Sequence, residues 1–362
     1  MSLVDQALPY VRAISAYQPG KPITELAREM GIPVDSIVKL ASNENPLGMS
    51  PKAKLAVLAA IDGVERYPDQ FDLIKAVAAK AGVAPGQVVL GNGSNDVLDL
   101  AARVFLAPGR SAIFAQHAFA VYPLATLSIG AELIAVPAKN YGHDLAAMRA
   151  AIRPDTRLIW IANPNNPTGN FLPYPEVRAF LETVPQDVVV VLDEAYNEYL
   201  PLADRVDTAS WIVDFPNLVV CRTMSKIYGL AGLRIGYALA SADVADLMNR
   251  VRQPFNVNNL ALAGALAALD DDEFLQASYE LNRRGMAQIV AGLEKLGLEY
   301  ITPHGNFVTF KVGDAAAVNQ KLLQQGVIVR PIGGYGLPEW LRVTIGSAPE
   351  NARFLEALEK AL

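Results

Sequence analysis

The sequence predicts an α/β fold in which a large domain with a mostly parallel central sheet is followed by a small α+β domain. Short apolar runs alternate with helical stretches from residue 88 onward, and runs such as 188–192 are apolar at every position. Such runs are typical of strands covered on both faces, as in a parallel sheet with crossover helices. The 362 residues, 52% of them hydrophobic and 19% charged, are enough for two units with substantial cores.

The first 45 residues are predicted to form an arm with one short helix rather than a domain of their own. Proline and glycine punctuate this stretch and leave room for little regular structure. A polar turn at 42–46 separates the arm from the helices that follow. The segments expected here, in order, are a helix at 23–30, a short apolar strand ending near 41, a helix at 51–62, a turn at 66–69 and a helix at 70–81.

The middle of the chain is predicted to build the central sheet. Apolar runs of strand length alternate with helical stretches, which is the pattern of βαβ units. The expected strands are 88–90, 112–115, 133–136, 158–162, 188–192 and 218–221, with helices reaching to 106 and near 121–129.

The remaining residues are predicted to form a helix at 242–251 and then the small domain. The helical pattern breaks at 253–256, which is the candidate boundary, and a long helical stretch with a solvated acidic run at 270–273 follows, to about 296. Later elements are a strand at 307–312, a helix at 314–325 and strands at 327–330 and 341–345. The chain is therefore divided into an arm at 1–45 that contributes to the small domain, a large domain at 46–253 and a small domain at 254–362.

Composition excludes several classes of partner and of compartment. A net charge of −6 argues against nucleic acid as the main partner, because it suggests no basic face. No apolar run is long enough to cross a bilayer, and Met1–Tyr10 lacks the basic and apolar regions of a secretory signal. The cytoplasm is therefore the expected compartment, and no membrane partner is expected.

The cysteine and the histidines favour structural roles over metal binding. Cys221 is the only cysteine and ends an apolar strand, so a reduced, buried thiol is expected. His117, His143 and His304 are widely spaced, with no cysteine or carboxylate cluster at ligand intervals. We therefore expect no metal site.

The stretch from Arg222 to Tyr237 places one lysine, Lys226, at the mouth of an apolar strand. Burial lowers the pKa of an amine, and a deprotonated amine can form a Schiff base with a carbonyl cofactor. Ser225 and Arg234 lie close enough in the sequence to hold a phosphate beside it. Taken alone, a lysine at such a position is most often a surface residue of a loop, and it is the neighbouring Ser225 and Arg234 that favour a site.

Gly91-Asn92-Gly93-Ser94-Asn95 lies between a strand and a helix and has the features of a phosphate cradle. Its glycines allow close backbone approach, and the helix N-terminus offers unpaired N–H groups. It differs from the dinucleotide fingerprint, because Asp96 stands where the third glycine would be. An ordinary strand-to-helix turn remains the alternative.

Two further strands end in polar residues. Asp193 closes a fully apolar strand, where a buried carboxylate needs a cation such as a protonated pyridine nitrogen or an arginine. Tyr196 follows three residues later, and Asn166 lies in a turn between two prolines that has a purely structural alternative. Because ligands of open α/β sheets bind outside the carboxyl ends of the strands, four such loops are expected to converge on one site.

Together these segments resemble the fold-type I enzymes that depend on pyridoxal phosphate, and within them the class II aminotransferases. The resemblance is greatest to the histidinol-phosphate aminotransferases and covers nearly the whole chain in the family's order. The matching segments are Tyr17-Gln18-Pro19-Gly20-Lys21-Pro22, residues 40–48 (LASNENPLG), Arg66-Tyr67-Pro68, residues 91–96 (GNGSND), 163–169 (NPNNPTG), 193–196 (DEAY), 223–237 around Lys226, and 329–346 with its V-R-P and L-R-V-T-I-G motifs.

The resemblance implies roles for individual residues in a pyridoxal phosphate site. Lys226 is expected to form the Schiff base and then to act as acid and base in a 1,3-proton shift, with Asp193 paired to the pyridinium nitrogen. The other cofactor contacts implied are Tyr196 and Asn166 to the phenolic oxygen, Phe119 stacked on the ring, and Gly93, Ser94, Asn95, Thr223, Ser225 and Arg234 around the phosphate. Tyr67 is expected to reach the phosphate in the neighbouring subunit, which implies a homodimer with shared sites.

The substrate assignment depends on the arm and on two C-terminal arginines. Arg342 alternates with apolar residues on its strand and is expected to face the cleft, although a surface position is the alternative. The resemblance implies that Arg330 and Arg342 clamp a phosphate ester, with Tyr17 and Asn45 in the arm segments contributing. An arginine fork suits a carboxylate equally well. The expected reaction is transamination between L-histidinol phosphate and 2-oxoglutarate.

Two departures from the family pattern and three alternative functions stay open. Phe119 stands where close relatives have tyrosine, which keeps the stacking but loses a hydroxyl. Ile227 stands where the wider class has a small residue. The alternatives are an aromatic amino-acid aminotransferase, a threonine-phosphate decarboxylase on the same scaffold, and a non-catalytic binding protein that retains the fold.

Overall fold

The computed structural model describes residues 2–17 and 20–362. Its strands are β1 Val38–Lys39, β2 Val88–Gly91, β3 Ser111–Ala115, β4 Glu132–Val136, β5 Thr156–Ala162, β6 Val189–Asp193, β7 Leu218–Thr223, β8 Gly236–Ala240, β9 Tyr300–Ile301, β10 Phe307–Lys311, β11 Val327–Ile328, β12 Arg330–Pro331 and β13 Trp340–Thr344. Its α-helices are α1 Pro9–Arg12, α2 Ile23–Met30, α3 Pro51–Ala60, α4 Phe71–Ala81, α5 Ser94–Phe105, α6 Val121–Ser128, α7 Leu145–Ala150, α8 Tyr174–Thr183, α9 Ala242–Val251, α10 Asn259–Leu269, α11 Asp272–Lys295, α12 Ala315–Gln324 and α13 Ala348–Ala361.

A seven-stranded sheet in the order β2-β8-β7-β6-β5-β3-β4 forms the centre of the large unit. Strands β3 to β7 pair in parallel, whereas β8 runs antiparallel to both of its neighbours. The predicted mostly parallel sheet is therefore confirmed. In register, Asp193 lies beside Ala162 on one side and Cys221 on the other, so the ends of β5, β6 and β7 share one edge.

Helices on both faces of this sheet explain why its strands are apolar at every position. On one face, Val190 and Leu192 join a core formed with α3, α4, α8 and α10. On the other face, Val189 and Val191 join a core formed with α5, α6 and α9. Successive side chains of a strand point to opposite faces, so a sheet buried on both sides needs apolar residues throughout.

The C-terminal part of the chain forms the predicted small α+β unit. An antiparallel sheet in the order β12-β13-β10-β9 packs with α11, α12 and α13 around a separate core. Its strand β13 places Arg342 directly opposite Arg330 of β12. Residues at paired positions of neighbouring strands share a face, so both arginines project from the same side of this sheet.

The arm packs against the small unit. Strand β1 pairs in parallel with β11, and Leu26, Ala41 and Ile328 belong to one small buried cluster. Of the motif at residues 17–22, the structure describes Tyr17 and residues 20–22, whereas Gln18 and Pro19 lie outside the described residues.

One local prediction was wrong, and one boundary stays a prediction. The stretch expected to be a continuous helix is two helices, α10 and α11, with the acidic run at the break between them. In that run Asp270, Asp272 and Glu273 are exposed, as expected, whereas Asp271 is buried and ion-paired with Lys52 (Nζ–Oδ1 3.1 Å). The division of the chain at 253/254 remains untested, but the buried side chains of α10 belong to the core of the large unit, which favours a boundary after that helix.

In the part of the chain that the structure describes, none of the helices combines the length and the apolar character that crossing a membrane requires.

Candidate active site

The carboxyl ends of the central strands open into a cavity of about 270 Å³ between the large sheet, the arm and the small unit. Four strand-end loops were expected to meet, and all four contribute to its lining. The predicted residues that line it are Tyr17, Ser94, Asn95, Phe119, Asn166, Asp193, Tyr196, Thr223, Ser225, Lys226, Arg234, Arg330 and Arg342.

The amine of Lys226 lies in this cavity, in the loop after β7. Its Nζ donates to the Ser42 carbonyl oxygen at 3.2 Å and lies 5.9 Å from the ring centroid of Tyr196. Burial, together with the positive charge of Arg342, lowers the pKa of the lysine to about 8. A large fraction of this amine is therefore neutral near pH 8, as a nucleophilic lysine requires.

The carboxylate of Asp193 lies at the end of β6 and is held by two donors. The Tyr122 hydroxyl donates to Oδ2 at 2.9 Å, and the amide of Ala195 donates to Oδ1 at 3.2 Å. Burial raises the pKa of Asp193 to about 6, and the hydrogen bond from Tyr122 opposes that rise. The carboxylate stays mostly ionised near neutral pH and can pair with a cation in the cavity.

The hydroxyl of Tyr196 is oriented by the arm. Nδ2 of Asn43 donates to it at 2.9 Å, and Oδ1 of Asn43 in turn accepts from the Thr344 hydroxyl at 3.0 Å. Asn43 adopts a left-handed backbone conformation (φ 55°), which asparagine tolerates better than most residues. Because the tyrosine oxygen already accepts one hydrogen bond, its own proton is available to a ligand.

Arg342 is buried and connects the small unit with the large one. Its guanidinium donates to Oδ1 of Asn166 at 2.6 Å and to the Ala41 carbonyl oxygen at 2.7 Å, and it lies over the Phe307 ring at 5.2 Å. Its Nε is buried and has no hydrogen-bond partner among residues 2–17 and 20–362. The prediction that this side chain faces the cleft is confirmed, because Arg342 lines the cavity.

The N-terminus of α5 forms the cradle that the sequence predicted for a phosphate. Gly93 has a positive φ of 84°, and a Cβ at this position would collide with the Arg234 guanidinium. Ser94 and Asn95 begin the helix, where backbone N–H groups have no intrahelical partners. The Ser225 amide donates to the Thr223 hydroxyl at 3.1 Å in the facing loop. Hydroxyls, N–H groups and a guanidinium thus line the same cavity, and these are the donors that a phosphate accepts from.

The back of this cradle is braced by Asp96 and Asn256. Oδ2 of Asp96 accepts from the Asn92 amide at 2.8 Å and from Nδ2 of Asn256 at 2.7 Å. Asp96, which stands where a dinucleotide-binding motif would have its third glycine, therefore stabilises the loop before α5.

Tyr17 and Arg330 meet at the arm side of the cavity. The guanidinium of Arg330 lies 5.5 Å from the centroid of the Tyr17 ring, within cation–π range, and both residues line the cavity. The neighbouring Tyr335 also lines it, and its carbonyl oxygen is hydrogen-bonded to His117 Nδ1 at 2.6 Å.

Three predicted residues are not among those that line the cavity: Gly93, which lies against the Arg234 guanidinium, Asn45 and Tyr67. Asn45 is buried behind it, where its Nδ2 donates to the Ile227 carbonyl oxygen at 2.7 Å and to the Ser278 hydroxyl at 2.9 Å. These two hydrogen bonds hold the Asn45 side chain against the loop that contains Lys226. Direct contact between Asn45 and a substrate is therefore not supported. Tyr67 lies on the outside, 80% exposed and stacked on Phe255 at 4.4 Å.

Sequence reasoning missed several residues that complete the site. Tyr122 and Asn43 hold Asp193 and Tyr196, and Ser42 holds the lysine through its carbonyl oxygen. Asn43 lies inside the segment 40–48 that was singled out, so the motif itself was the available signal. Tyr122 had no comparable signal, because its position on a helix gives no indication of which strand end it faces.

The residues present fit pyridoxal phosphate on chemical grounds. A nucleophilic amine, an anionic partner for a ring nitrogen, a hydroxyl for a phenolic oxygen and a phosphate cradle line one cavity. Across residues 2–17 and 20–362, no group of three or more histidine, cysteine, aspartate or glutamate side chains could hold a metal ion.

Comparison with known proteins gives matches along nearly the whole chain. Residues 35–358 match the family model described as "Aminotransferase class I and II". The chain is 83% identical over 362 residues, covering both chains completely, to histidinol-phosphate aminotransferase 1 of Dechloromonas aromatica (strain RCB). It is 62% identical over 358 residues to histidinol-phosphate aminotransferase 1 of Thiobacillus denitrificans (strain ATCC 25259 / T1), covering 98% of this chain and 93% of that one.

A solved structure with a similar fold is that of histidinol-phosphate aminotransferase from Sinorhizobium meliloti in complex with pyridoxal-5'-phosphate. The TM-score is 0.90 at 27% identity, and the match covers 98% of this chain and 97% of that chain. These matches confirm the predicted fold class, with its mostly parallel central sheet.

Proposed function

The chain belongs to the class I and II aminotransferases, and from that premise we propose that it transfers the amino group of L-histidinol phosphate to 2-oxoglutarate. The products are imidazole-acetol phosphate and glutamate, a step in histidine biosynthesis, and the cofactor is pyridoxal 5'-phosphate. Relatives with 83% and 62% identity carry the corresponding name. The expected compartment for such a biosynthetic enzyme is the cytoplasm.

The observation that carries the substrate class is the pairing of Arg330 with Arg342. These arginines lie directly opposite each other on antiparallel strands, and both line the cavity. Like charges at such positions repel each other unless an anion lies between them. A phosphate ester offers two negative charges and several acceptor oxygens to two guanidinium groups. The same pair is suited to the carboxylates of 2-oxoglutarate and glutamate in the second half of the reaction.

The cofactor is assigned to the cavity by its donor set. When bound, pyridoxal phosphate supplies an aldehyde for the amine and a ring that takes up the electron pair left when a substrate carbon loses its proton. The N-terminus of α5 with Arg234, Thr223 and Ser225 would hold the phosphate. Asp193 would hold the ring nitrogen, and Phe119 would stack on the ring.

Lys226 holds and moves the proton of the reaction. With a pKa of about 8, its amine both accepts and releases a proton near neutral pH, which is the requirement for a group that alternates between base and acid. Its resting contact is a carbonyl oxygen, Ser42 O, which accepts from either charge state of the amine. The contact positions the amine without fixing its protonation.

Tyr196 and Asn166 orient the ring oxygen. Asn43 donates to the hydroxyl of Tyr196, so the proton of that hydroxyl is directed elsewhere in the cavity. Arg342 occupies Oδ1 of Asn166, which leaves the amide nitrogen as the group that can donate to a ligand. Both side chains would therefore present donors to a phenolate oxygen.

An exposed apolar surface supports the proposal of a homodimer with shared sites. Large apolar side chains lie exposed on α3 and the segment after it, with Leu55, Leu58 and Val64 each more than half exposed. Tyr67 is 80% exposed and, in the part of the chain that the structure describes, is not among the residues that line the cavity. We propose that this surface contacts a second copy and that Tyr67 reaches the phosphate bound in that copy.

Steady-state assays with four amine donors test the substrate assignment. The measurement is glutamate formation from 2-oxoglutarate with histidinol phosphate, histidinol, phenylalanine or tyrosine. We expect the highest kcat/KM for histidinol phosphate, with histidinol lower by at least tenfold because it lacks the anion that the two arginines bind. Equal kcat/KM values for histidinol and histidinol phosphate would contradict the proposal that the two arginines bind the phosphate. A higher kcat/KM for phenylalanine or tyrosine would indicate an aromatic amino-acid aminotransferase. Release of carbon dioxide from threonine phosphate would indicate the decarboxylase.

Mixing two inactive variants tests the shared site. Lys226→Ala lacks the amine, and Tyr67→Ala lacks the group proposed to cross the interface. In a mixed dimer, the lysine of one chain meets the tyrosine of the other, so one of the two sites is intact. Activity should return on mixing under conditions that exchange subunits, and a mixture no more active than its components would contradict the shared site.

A further inference from the structure

The side chain of Tyr122 is buried at the end of the cavity that contains Asp193, and the reaction just described leaves it without a role. It is fully buried on α6, and its hydroxyl donates to Oδ2 of Asp193 at 2.9 Å. The other carboxylate oxygen accepts from the backbone amide of Ala195. Each oxygen of Asp193 thus has one fixed donor, and the remaining lone pairs are left for a ligand in the cavity.

The ring of Tyr122 is held on two sides. It stacks on Trp160 with centroids 5.2 Å apart and an interplanar angle of 3°, and it meets Phe119 edge-on at 5.8 Å. The indole nitrogen of Trp160 donates to the Thr126 hydroxyl one turn further along α6. The hydroxyl therefore has little freedom of position, and the carboxylate that accepts from it is fixed in turn.

A donor at this carboxylate also sets its charge. Burial raises the pKa of Asp193 to about 6, and the Tyr122 hydroxyl is the largest of the influences that lower it. Without the hydroxyl, Asp193 would be protonated in a larger fraction of the molecules near neutral pH. The protonated carboxyl group would no longer form an ion pair with a protonated ring nitrogen. The other titratable groups that act on this carboxylate are Glu194, Lys226, Tyr196 and Cys221.

We propose that Tyr122 is a positioning residue for the cofactor, because its hydroxyl holds the Asp193 carboxylate in the orientation and ionised form that pair with a pyridine nitrogen. The proposal rests on the cofactor part of the proposed function and does not depend on the substrate. It distinguishes Tyr122 from Phe119, which faces the cavity but carries no donor.

The test removes the Tyr122 hydroxyl by mutation and the ring nitrogen of the cofactor by using an analogue, each change alone and both together. Cofactor-free protein prepared from the holoenzyme is titrated with pyridoxal phosphate and with 1-deazapyridoxal phosphate, in which a C–H group replaces the ring nitrogen. The two dissociation constants are measured for the wild type and for Tyr122→Phe. We expect Tyr122→Phe to weaken pyridoxal phosphate binding by about tenfold to hundredfold, as expected for a hydrogen bond to a charged group. Binding of the deaza analogue should stay within about threefold of the wild-type value, because it makes no contact through a nitrogen.

Tyr174→Phe is the matched control. Tyr174 is also a buried tyrosine, and its hydroxyl also donates to a carboxylate, that of Glu194, at 2.8 Å, but it does not line the cavity. Its removal should lower thermal stability while leaving both dissociation constants unchanged.

Three results would overturn the proposal. Equal loss of affinity for the two compounds in Tyr122→Phe would indicate a general packing defect, and unchanged affinity for both would show that the hydroxyl is dispensable. Equal affinity of the wild type for pyridoxal phosphate and for its deaza analogue would show that Asp193 does not pair with the ring nitrogen. All three leave the transamination assay free to succeed, so failure here and failure of the proposed reaction are separable.

Discussion

Replacing Arg222 with methionine should destabilise the protein by about 3 kcal/mol, because it leaves a buried carboxylate without its cation. Glu194, next to Asp193, has a fully buried side chain, and Arg222 reaches it with Nε at 3.0 Å and with a terminal nitrogen at 2.9 Å. Tyr174 and Thr208 donate to the same carboxylate at 2.8 and 2.9 Å. Neither hydroxyl can replace the lost charge.

The magnitude follows from the burial of the pair. Breaking a buried ion pair by removing one partner costs roughly 3–5 kcal/mol, and the 16% exposure of the Arg222 side chain places this pair near the lower end. At about 2 °C per kcal/mol for a protein of this size, the apparent Tm should fall by roughly 6 °C. The fall should be measured at fixed protein concentration and scan rate, because dimerisation and irreversible unfolding both shift the value.

The double variant Arg222→Met with Glu194→Gln separates the charge from the packing. Glutamine removes the unpaired charge and keeps one acceptor oxygen for one of the two hydroxyls, while its amide NH2 group can donate to the oxygen of the other. The double variant should therefore be more stable than Arg222→Met alone. A Tm for Arg222→Met within about 1 °C of the wild type would refute the reasoning. So would a double variant that loses the full sum of the two single effects, because such additivity would mean that the two groups do not interact.

Three further expectations concern the cavity. Lys226→Ala should lower turnover by a hundredfold to ten-thousandfold or more and abolish the absorbance band of the lysine Schiff base, with far-UV circular dichroism unchanged; retention of both the turnover and the band would remove the lysine from the chemistry. The rate at which cofactor-free protein captures pyridoxal phosphate should rise with pH through about 8 and level off above it, because the neutral amine reacts and its pKa is lowered to about 8; a rate that keeps rising toward pH 10 would mean an ordinary lysine. Arg342→Lys should reduce kcat/KM for histidinol phosphate by about tenfold to hundredfold, since a single ammonium cannot reproduce the fork that now bonds Asn166 and Ala41; an unchanged kcat/KM would place the phosphate elsewhere.

The strands and their functional ends were accessible from the sequence because each depends on a local pattern. The run 189–192 is apolar because both faces of its sheet are covered, and the carboxylate of Asp193 that follows it is conspicuous for that reason. The alternation around Arg342 predicted its face in the same way. A strand of known orientation ends at a known edge, so residues such as Asn166 and Lys226 could be expected to meet.

The partners of these residues could not be predicted because they come from distant elements. The Tyr122–Asp193 hydrogen bond spans 71 positions and the Asn43–Tyr196 bond spans 153. Such contacts depend on the rotation of a helix and on the path of the arm, and neither leaves a local pattern. The burial of Asp271 was missed for a related reason, since charge alone suggested solvent while a distant lysine and a helix start make its burial tolerable.

Because Gly93 contacts Arg234, the residue at one of these positions cannot be changed independently of the residue at the other. Any side chain at Gly93 meets the guanidinium of Arg234, and both residues have left-handed φ values, 84° and 60°. A combinatorial library randomised at position 93 alone should therefore return only glycine among cofactor-binding clones, as sequencing of the selected pool would show. Recovery of alanine or serine there would mean that the arginine can move aside. Redesign of this enzyme for a cofactor without a phosphate has to begin by changing both positions in the same step.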